Sequence, residues 1–281
     1  MANQHFANLG YVWKHLWLAG AVGRLHPRRY VETHAGSAAY RLTGDVERDL
    51  GVGMFQAASQ DCDLPRSTPY RTYLADLASG GEPSYPGSPL LAMMMLGSAC
   101  RYVFCDIDPA SVDDLLAARE RLGLVDNVRV VHGDGLAETV ALLETGEIGQ
   151  AILVHVDPFD FHARDPGGVS ALDLLRRLAV AGVPAVAWYH LATPAASLEL
   201  FHDVVTAAPD ARAWCAELQV GGPRANLAGM GAGCGILLAG AALAPGRSMR
   251  RSADAYVAAF NKLSAGTGVG VSVTNRFVTS A

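Results

Sequence analysis

The chain has 281 residues, of which 51% are hydrophobic and 17% charged, enough apolar surface to fill the core of one large domain and too much for a disordered chain. A formal net charge of −5 excludes an overall positive field that would attract a nucleic-acid backbone. No apolar run approaches the roughly 18 residues of a membrane span, and no cleavable leader is recognisable. The five cysteines lack paired metal-ligand spacing, and their odd number is typical of a reducing compartment. We therefore expect a cytoplasmic protein that neither binds a membrane nor holds a metal.

The chain alternates between helical and strand patterns along most of its length. In chain order the sequence predicts a helix at 11–25, a strand at 29–33, a helix at 90–97, a strand at 102–108, a helix at 113–122, a strand at 128–131, a helix at 136–144, a strand at 151–156, a helix at 170–181, a strand at 185–189, a helix at 196–207, strands at 212–220, 235–239 and 269–273, and a helix at 253–263. Alternation at this pace indicates crossover units and an α/β fold whose parallel sheet is covered on both faces, with an antiparallel hairpin at one edge.

Residues 43–84 differ from this alternation. They contain scattered prolines and an amphipathic stretch at 70–79, which favours a helical insertion after the first strand. We treat the insertion as a subdomain of one domain that spans residues 1–281.

Acidic residues stand at the ends of three predicted strands, at Asp106, Asp134 and Asp157. In doubly wound sheets, ligands bind outside the carboxyl ends of the strands. The first could accept hydrogen bonds from ribose hydroxyls, the second from an adenine amino group, and the third faces the reacting centre. Together with His34, which begins a small-residue turn after the first strand, they describe a pocket for S-adenosylmethionine. An acid at the end of a strand is, by itself, more often a helix cap or turn residue, and it is the ordered set that indicates a pocket.

Two other patterns resemble ligand sites, but their spacing and position favour structural roles. The histidines at 155, 162, 190 and 202 match no ordinary metal-ligand spacing, and lone histidines near strands are usually structural, so no metal is predicted. The glycine-rich run at 229–235 leads into a strand pattern instead of a helix, which indicates a turn and not a dinucleotide fingerprint.

Several motifs together resemble the RlmJ family, bacterial enzymes that methylate N6 of an adenine in 23S ribosomal RNA. The matching segments, which cover most of the chain in the family's order, are His5-Phe6-Ala7-Asn8, Lys14-His15, Thr33-His34-Ala35-Gly36, Tyr85-Pro86-Gly87-Ser88-Pro89, Asp134-Gly135, Asp157-Pro158 and Trp188-Tyr189. The resemblance implies a Rossmann-like class I methyltransferase that depends on S-adenosylmethionine.

Carried over residue by residue, the resemblance also implies roles for individual positions. Asp157 would be the proton acceptor, Lys14 would lie near it in the active site, and His5 would belong to the substrate side. The cofactor contacts would be His15, His34, Ser88, Asp106, Asp134 and Gly135.

The tetrapeptide Asp157-Pro158-Phe159-Asp160 departs from the family's Asp-Pro-Pro-Tyr. A carboxylate at Asp160 would repel a phosphodiester but attract an ammonium group. We therefore expect a small nitrogenous aromatic acceptor, an indole-like amine for example, methylated on carbon or nitrogen in a specialised-metabolite pathway. Phe159, Trp188 and Tyr189 would wall its ring, and Asp160 would hold a cationic side chain.

Two alternatives stay open. The ancestral role, N6-methylation of adenine in 23S rRNA, would need a basic surface built from arginines, for which the candidates are Arg24, Arg28, Arg29, Arg41, Arg66 and Arg71. The other alternative is an inactive module that binds the cofactor without transferring a methyl group. The oligomeric state is not predicted.

Overall fold

The computed structural model describes residues 6–42, 44–60, 64–66, 68–78, 84–148, 151–164, 167–191, 202–204, 206–207 and 212–279. Its strands are β1 (Arg29–Glu32), β2 (Ala39–Arg41), β3 (Ser84–Pro86), β4 (Arg101–Asp106), β5 (Val128–His132), β6 (Ile152–Val156), β7 (Ala185–His190), β8 (Arg212–Gly221), β9 (Gly233–Ala239) and β10 (Gly270–Thr279). Its α-helices are α1 (Leu9–Leu25), α2 (Val46–Arg48), α3 (Met54–Gln60), α4 (Pro69–Ala78), α5 (Ser88–Leu96), α6 (Pro109–Arg121), α7 (Gly135–Glu144), α8 (Ala171–Val180) and α9 (Arg247–Leu263).

The main sheet has eight strands in the order β10-β8-β9-β7-β6-β1-β4-β5. The five strands from β7 to β5 in this order pair in parallel, while β9, β8 and β10 pair antiparallel at one edge. This mostly parallel sheet confirms the predicted α/β class. It also brings the carboxyl ends of β1, β4, β5 and β6 to one side of the molecule.

Side chains from the two faces of the sheet enter separate apolar clusters. One face packs against α1, α5, α6 and α9, and the other against α7 and α8. Strand β6 shows the alternation directly, because Leu153 joins the first cluster while Val154 and Val156 join the second. Burial on both faces accounts for the near-continuous apolar sequence of this strand.

Helix boundaries differ from the sequence pattern where a cap begins the helix early. Helix α6 begins at Pro109, before the predicted start at 113, because the Asp108 side chain accepts a hydrogen bond from the Ala110 N–H and proline is favoured in the first turn. Helix α1 begins at Leu9 because Asn8 caps it. Apolar periodicity does not report the capping hydrogen bond that starts a helix, so it places both starts too late.

The segment between β2 and β3 contains α2, a π-helix at Asp49–Gly53, α3 and α4. Its π-helix lies against the start of α1, where a Cβ on Gly51 would come 2.1 Å from the carbonyl oxygen of Ala7. His5 and residues 196–201 of the predicted helix 196–207 lie outside the described residues. Among the helices described, none is long and apolar enough to cross a membrane.

Candidate active site

Lys14 and Asp157 form a buried ion pair at the carboxyl end of β6. The Lys14 Nζ lies 2.6 Å from Asp157 Oδ2, and the side chains are 3% and 14% exposed. Lys14 comes from the first turns of α1, which covers this face of the sheet. Within the described part of the chain, Oδ1 of Asp157 accepts no hydrogen bond. This oxygen is available to an N–H of a substrate.

The electrostatic surroundings keep Asp157 ionised. Burial by itself would raise the pKa of this carboxyl, but the Lys14 ammonium, His155 and His34 outweigh burial and hold the pKa below its usual range. Asp157 is therefore a carboxylate at neutral pH and can accept a hydrogen bond from a substrate nitrogen.

Aromatic rings surround the ion pair. The Lys14 Nζ lies 4.0 Å from the ring centroid of Tyr11 and 6.0 Å from that of Trp188. Burial, and then the Asp157 carboxylate, raise the pKa of the Tyr11 hydroxyl, so this group stays neutral. Nearby at the start of α1, the ring of Phe6 stacks on that of Tyr40 at 4.8 Å. Aromatic rings of this kind can pack against a flat, apolar molecule that accepts a methyl group.

The tips of β1 and β4 are joined through Asp106. Its Oδ2 accepts a hydrogen bond from the Gly36 N–H at 2.7 Å, and its Oδ1 accepts one from the Asp108 N–H at 2.8 Å. Each carboxylate oxygen has a second lone pair for a ligand hydroxyl. The half-buried His34 lies in the same turn, with Nδ1 2.8 Å from the Thr33 hydroxyl.

Asp134 and Gly135 lie at the tip of β5. Asp134 caps α7 by accepting hydrogen bonds from the N–H groups of Leu136 and Ala137. This acid therefore has the helix-capping role that is common for acids at strand ends. Its other oxygen accepts the Gly167 N–H at 2.8 Å. Gly135 is needed for close approach to β1, since a Cβ at this position would lie 2.0 Å from the Thr33 carbonyl oxygen.

His15 and Ser88 are both buried, at 0% and 4% exposure. The His15 Nδ1 lies 2.9 Å from the Tyr85 hydroxyl, which itself accepts a hydrogen bond from Tyr70. Burial, followed by the charges of Lys14 and His155, holds the pKa of His15 well below its usual value, so the ring is neutral. Tyr85 therefore donates to Nδ1 and His15 carries its hydrogen on Nε2, an atom that has no partner among the described residues.

The predicted substrate residues separate into two groups. Trp188 faces the cluster that contains α1, near Lys14, whereas the next residue, Tyr189, points to the opposite face and donates its hydroxyl to Glu217 at 3.2 Å. The structure therefore does not bring Tyr189 to Asp157. Phe159 is 95% exposed, and the exposed Asp160 accepts the His162 N–H at 2.8 Å in a turn after Asp157.

Sequence reasoning missed two residues in this group, Tyr11 and Glu32. Tyr11 lies one helical turn before His15, so its approach to Lys14 follows only once the helix is oriented against the sheet. Glu32 is fully buried and accepts a hydrogen bond from the Ser88 hydroxyl. The sequence carries a signal for Glu32, because it is an acid at the end of a predicted strand, directly before Thr33.

Half of the arginines considered for an RNA surface lie away from Asp157. Arg28 and Arg29 lie at the amino end of β1, and Arg24 lies near the end of α1 that leads into it, where it donates to the Ala242 carbonyl. Arg71 donates to the carbonyl oxygens of Leu64 and Ser59 inside the segment between β2 and β3. Arg41 and Arg66 are exposed.

A family model described as RsmJ, Ribosomal RNA large subunit methyltransferase D, RlmJ, matches residues 26–266. This chain belongs to the RlmJ family. Membership confirms the resemblance drawn from the sequence motifs and the expectation of a methyltransferase that depends on S-adenosylmethionine.

The fold is similar to that of protein LPL1258 from Legionella pneumophila, at 20% identity over 99% of both chains with a TM-score of 0.71. An O-methyltransferase from Bacillus cereus, solved in complex with SAH, is 13% identical over 80% of this chain and 79% of that chain, with a TM-score of 0.45. TomG, an O-methyltransferase from Streptomyces achromogenes, is 13% identical over 80% of this chain and 78% of that one, with a TM-score of 0.39. No curated protein matches.

The groups at the strand tips and on α1 fit S-adenosylmethionine, which supplies an electrophilic methyl group on a sulfonium. The buried Nε2–H of His15 is a donor without an acceptor among the described residues, suited to a carboxylate or ring nitrogen of a ligand. Asp106 and Asp134 offer acceptors suited to hydroxyls and an amino group. No group of three or more metal-ligating side chains occurs in the described residues.

Proposed function

We propose that this RlmJ-family enzyme methylates a small nitrogenous aromatic molecule, with Asp157 as the group that accepts the substrate N–H. The observation that carries the proposal is the position of Arg24, Arg28 and Arg29, which lie around the amino end of β1, whereas Asp157 follows the carboxyl end of the parallel neighbour β6. A polynucleotide gains most of its affinity from contacts between cationic side chains and its phosphates. Those three arginines lie too far from Asp157 to contact the phosphates of a polynucleotide whose base is bound there.

The exposed carboxylate of Asp160, three positions after Asp157, supports the same proposal. It would repel a phosphodiester and attract an ammonium group. Phe159 and Trp188 supply rings that would contact a planar acceptor. Tyr189 does not belong to this group of rings, because its hydroxyl is bonded to Glu217 on the other face.

The chain's own residues would act on the acceptor in three ways. Aromatic side chains would orient the ring and exclude water, and the ion pair with Lys14 would fix Oδ2 of Asp157 so that Oδ1 points at the substrate N–H. That carboxylate would then accept the proton as the acceptor becomes positively charged. On an indole-like ring, holding the N–H in this way raises electron density at carbon, whereas on an amine it leads to N-methylation.

Cofactor binding by residues at the strand tips and on α1 and α5 is part of the proposal. His15, His34, Ser88, Asp106, Asp134 and Gly135 would hold S-adenosylmethionine, with His5 on the substrate side. Calorimetry should show heat of binding for S-adenosylmethionine or its demethylated product. If both titrations are flat, the enzyme assignment of this site fails.

The second candidate is N6-methylation of adenine in 23S rRNA, which the ribosomal RNA description of the family model favours. The two candidates are separated by supplying labelled methyl donor with deproteinised 23S rRNA in one reaction and a panel of small heteroaromatic amines in another. We expect incorporation into a small amine and little into RNA. Efficient labelling of RNA would reverse the order of the candidates, and cofactor binding without transfer to either would indicate an inactive module.

A further inference from the structure

Glu32 and His155 form a buried hydrogen-bonded pair that the mechanism above does not use. They are register partners on β1 and β6, and His155 Nδ1 lies 2.8 Å from Glu32 Oε1. Both side chains are fully buried. Burying two ionisable groups in a strand core is costly unless they compensate each other, so the pair needs an explanation.

The hydrogen bonds to Glu32 favour its ionised form. Besides His155, the Tyr30 hydroxyl lies 3.2 Å from Oε2, and the Ser88 hydroxyl donates to Oε1. Three donors converge on one carboxyl group, and donors stabilise a carboxylate. A lone buried negative charge requires a cation nearby, and the His155 ring is in direct contact.

His155 lies on the same face of the sheet as Asp157. Alternate residues of a strand point to one side, and Leu153, two positions before His155, packs in the cluster that contains α1. That face therefore carries two carboxylates, Glu32 and Asp157, and the single ammonium of Lys14. A proton on His155 balances the second carboxylate.

We propose that His155, protonated and held by Glu32, is a positioning residue whose positive charge keeps Asp157 ionised for methyl transfer. The inference rests on the proposed role of Asp157 as acceptor. The direction of the Asp157 pKa supports it: burial raises that pKa, and the positive charges that outweigh burial are first Lys14 and then His155. The His155 Nε2 has no hydrogen-bond partner among the described residues, so no second anion contacts the ring there.

Other ionisable groups surround the pair and Asp157. Helix α1, strands β1, β3 and β9 and the turn after β1 contribute Lys14, His15, Tyr11, Tyr30, Tyr85, Cys234 and His34. The tyrosines and Cys234 have pKa values raised chiefly by burial, and that of His15 is lowered chiefly by burial, so all of these are neutral. Strand β7 presents the apolar Val186 beside His155.

The protonation state can be read directly, without measuring activity. In full-length protein labelled with 15N-histidine, the His155 signal is identified by its loss in His155→Leu. At about pH 7 we expect both ring nitrogens to be protonated in the wild type and one of them to lose its proton in Glu32→Gln. A neutral His155 ring in the wild type overturns the inference.

The role in catalysis is read from the pH dependence of turnover with the preferred acceptor. The ratio of turnover at about pH 5 to that at about pH 8 should fall by about threefold or more in His155→Leu, because Asp157 then takes up a proton at higher pH. The double variant Glu32→Gln with His155→Gln leaves no buried charge unpaired and should show the same fall if His155→Leu does not fold.

Leu153→Val is the matched control, since it alters packing on the same face of the same strand without removing a charge. It should change melting temperature but not the pH ratio. An unchanged ratio in folded His155→Leu or in the double variant overturns the inference. Full turnover in Asp157→Asn would instead overturn the proposed acceptor, while the 15N spectrum would still decide whether His155 is protonated.

Discussion

The ammonium of Lys14 contacts Oδ2 of Asp157 at 2.6 Å and leaves Oδ1 without a hydrogen bond from any described residue. One carboxylate oxygen is therefore fixed by the protein. In the proposed mechanism, the other oxygen of the same carboxylate would accept the substrate proton.

Replacing Asp157 with Asn should leave the fold intact and lower turnover by about 100-fold or more, because the amide cannot take a proton. Steady-state rates and circular dichroism check both parts. Asp126→Asn, at an exposed position away from the strand tips, is the control and should keep full activity. Turnover near the wild-type rate in Asp157→Asn would remove this residue as the acceptor.

Lys14→Met should lower the free energy of unfolding by about 3 kcal/mol at neutral pH, since it leaves a buried carboxylate unpaired. The pKa of Asp157 is lowered in the folded state, so the stability that the pair provides is present above the unfolded pKa and is lost as pH falls through the folded one. The difference in stability between wild type and variant should therefore narrow as pH is lowered below about 4. Denaturant unfolding of both proteins at several pH values measures this difference. A difference that stays constant as pH falls would contradict a stabilising role of the Lys14–Asp157 pair.

Gly135→Ala should destabilise the strand tips and weaken cofactor binding, because the new Cβ would lie 2.0 Å from the Thr33 carbonyl oxygen. Gly133→Ala, two positions earlier in the same loop, is a close control, since its Cβ would meet only Val131 at 4.0 Å. Thermal melts with and without S-adenosylmethionine compare the two. Equal behaviour of both variants would contradict the close approach.

Trp188→Ala and Tyr189→Phe should behave differently although the residues are consecutive. Trp188 faces Lys14, so its removal should raise KM for the acceptor by about tenfold, given that ring contacts contribute about 1 kcal/mol or more. Tyr189→Phe loses the hydroxyl contacts with Glu217 and Cys215 on the other face and should change stability but not KM. A larger KM effect from Tyr189→Phe would mean that the acceptor binds elsewhere.

Asp160→Asn should raise KM for an acceptor with an ammonium group and leave KM for a neutral analogue unchanged. The Asn side-chain oxygen can still accept the His162 N–H that organises the turn, so the loop should keep its shape. Kinetics with a matched pair of charged and neutral acceptors make the comparison. The same KM ratio in both proteins would show that Asp160 does not contact the substrate charge.

The sequence by itself determined the α/β alternation, the antiparallel edge and the acids at the ends of β4, β5 and β6. These features are local, because apolar periodicity reports which faces of each element are buried and strand ends follow from where that periodicity stops. Motifs such as Thr33-His34-Ala35-Gly36 identified the family for the same reason, since they are contiguous.

Only the tertiary structure decided which side chains meet. Lys14 and Asp157 are 143 positions apart, and their contact depends on how α1 lies across the sheet. The side chains of Trp188 and Tyr189 point in opposite directions because residues alternate along β7. Which of these two side chains points towards α1 depends on how the strand packs. Glu32 and His155 became a pair only because β1 and β6 are neighbours in register, a fact set by long-range pairing that no local pattern encodes.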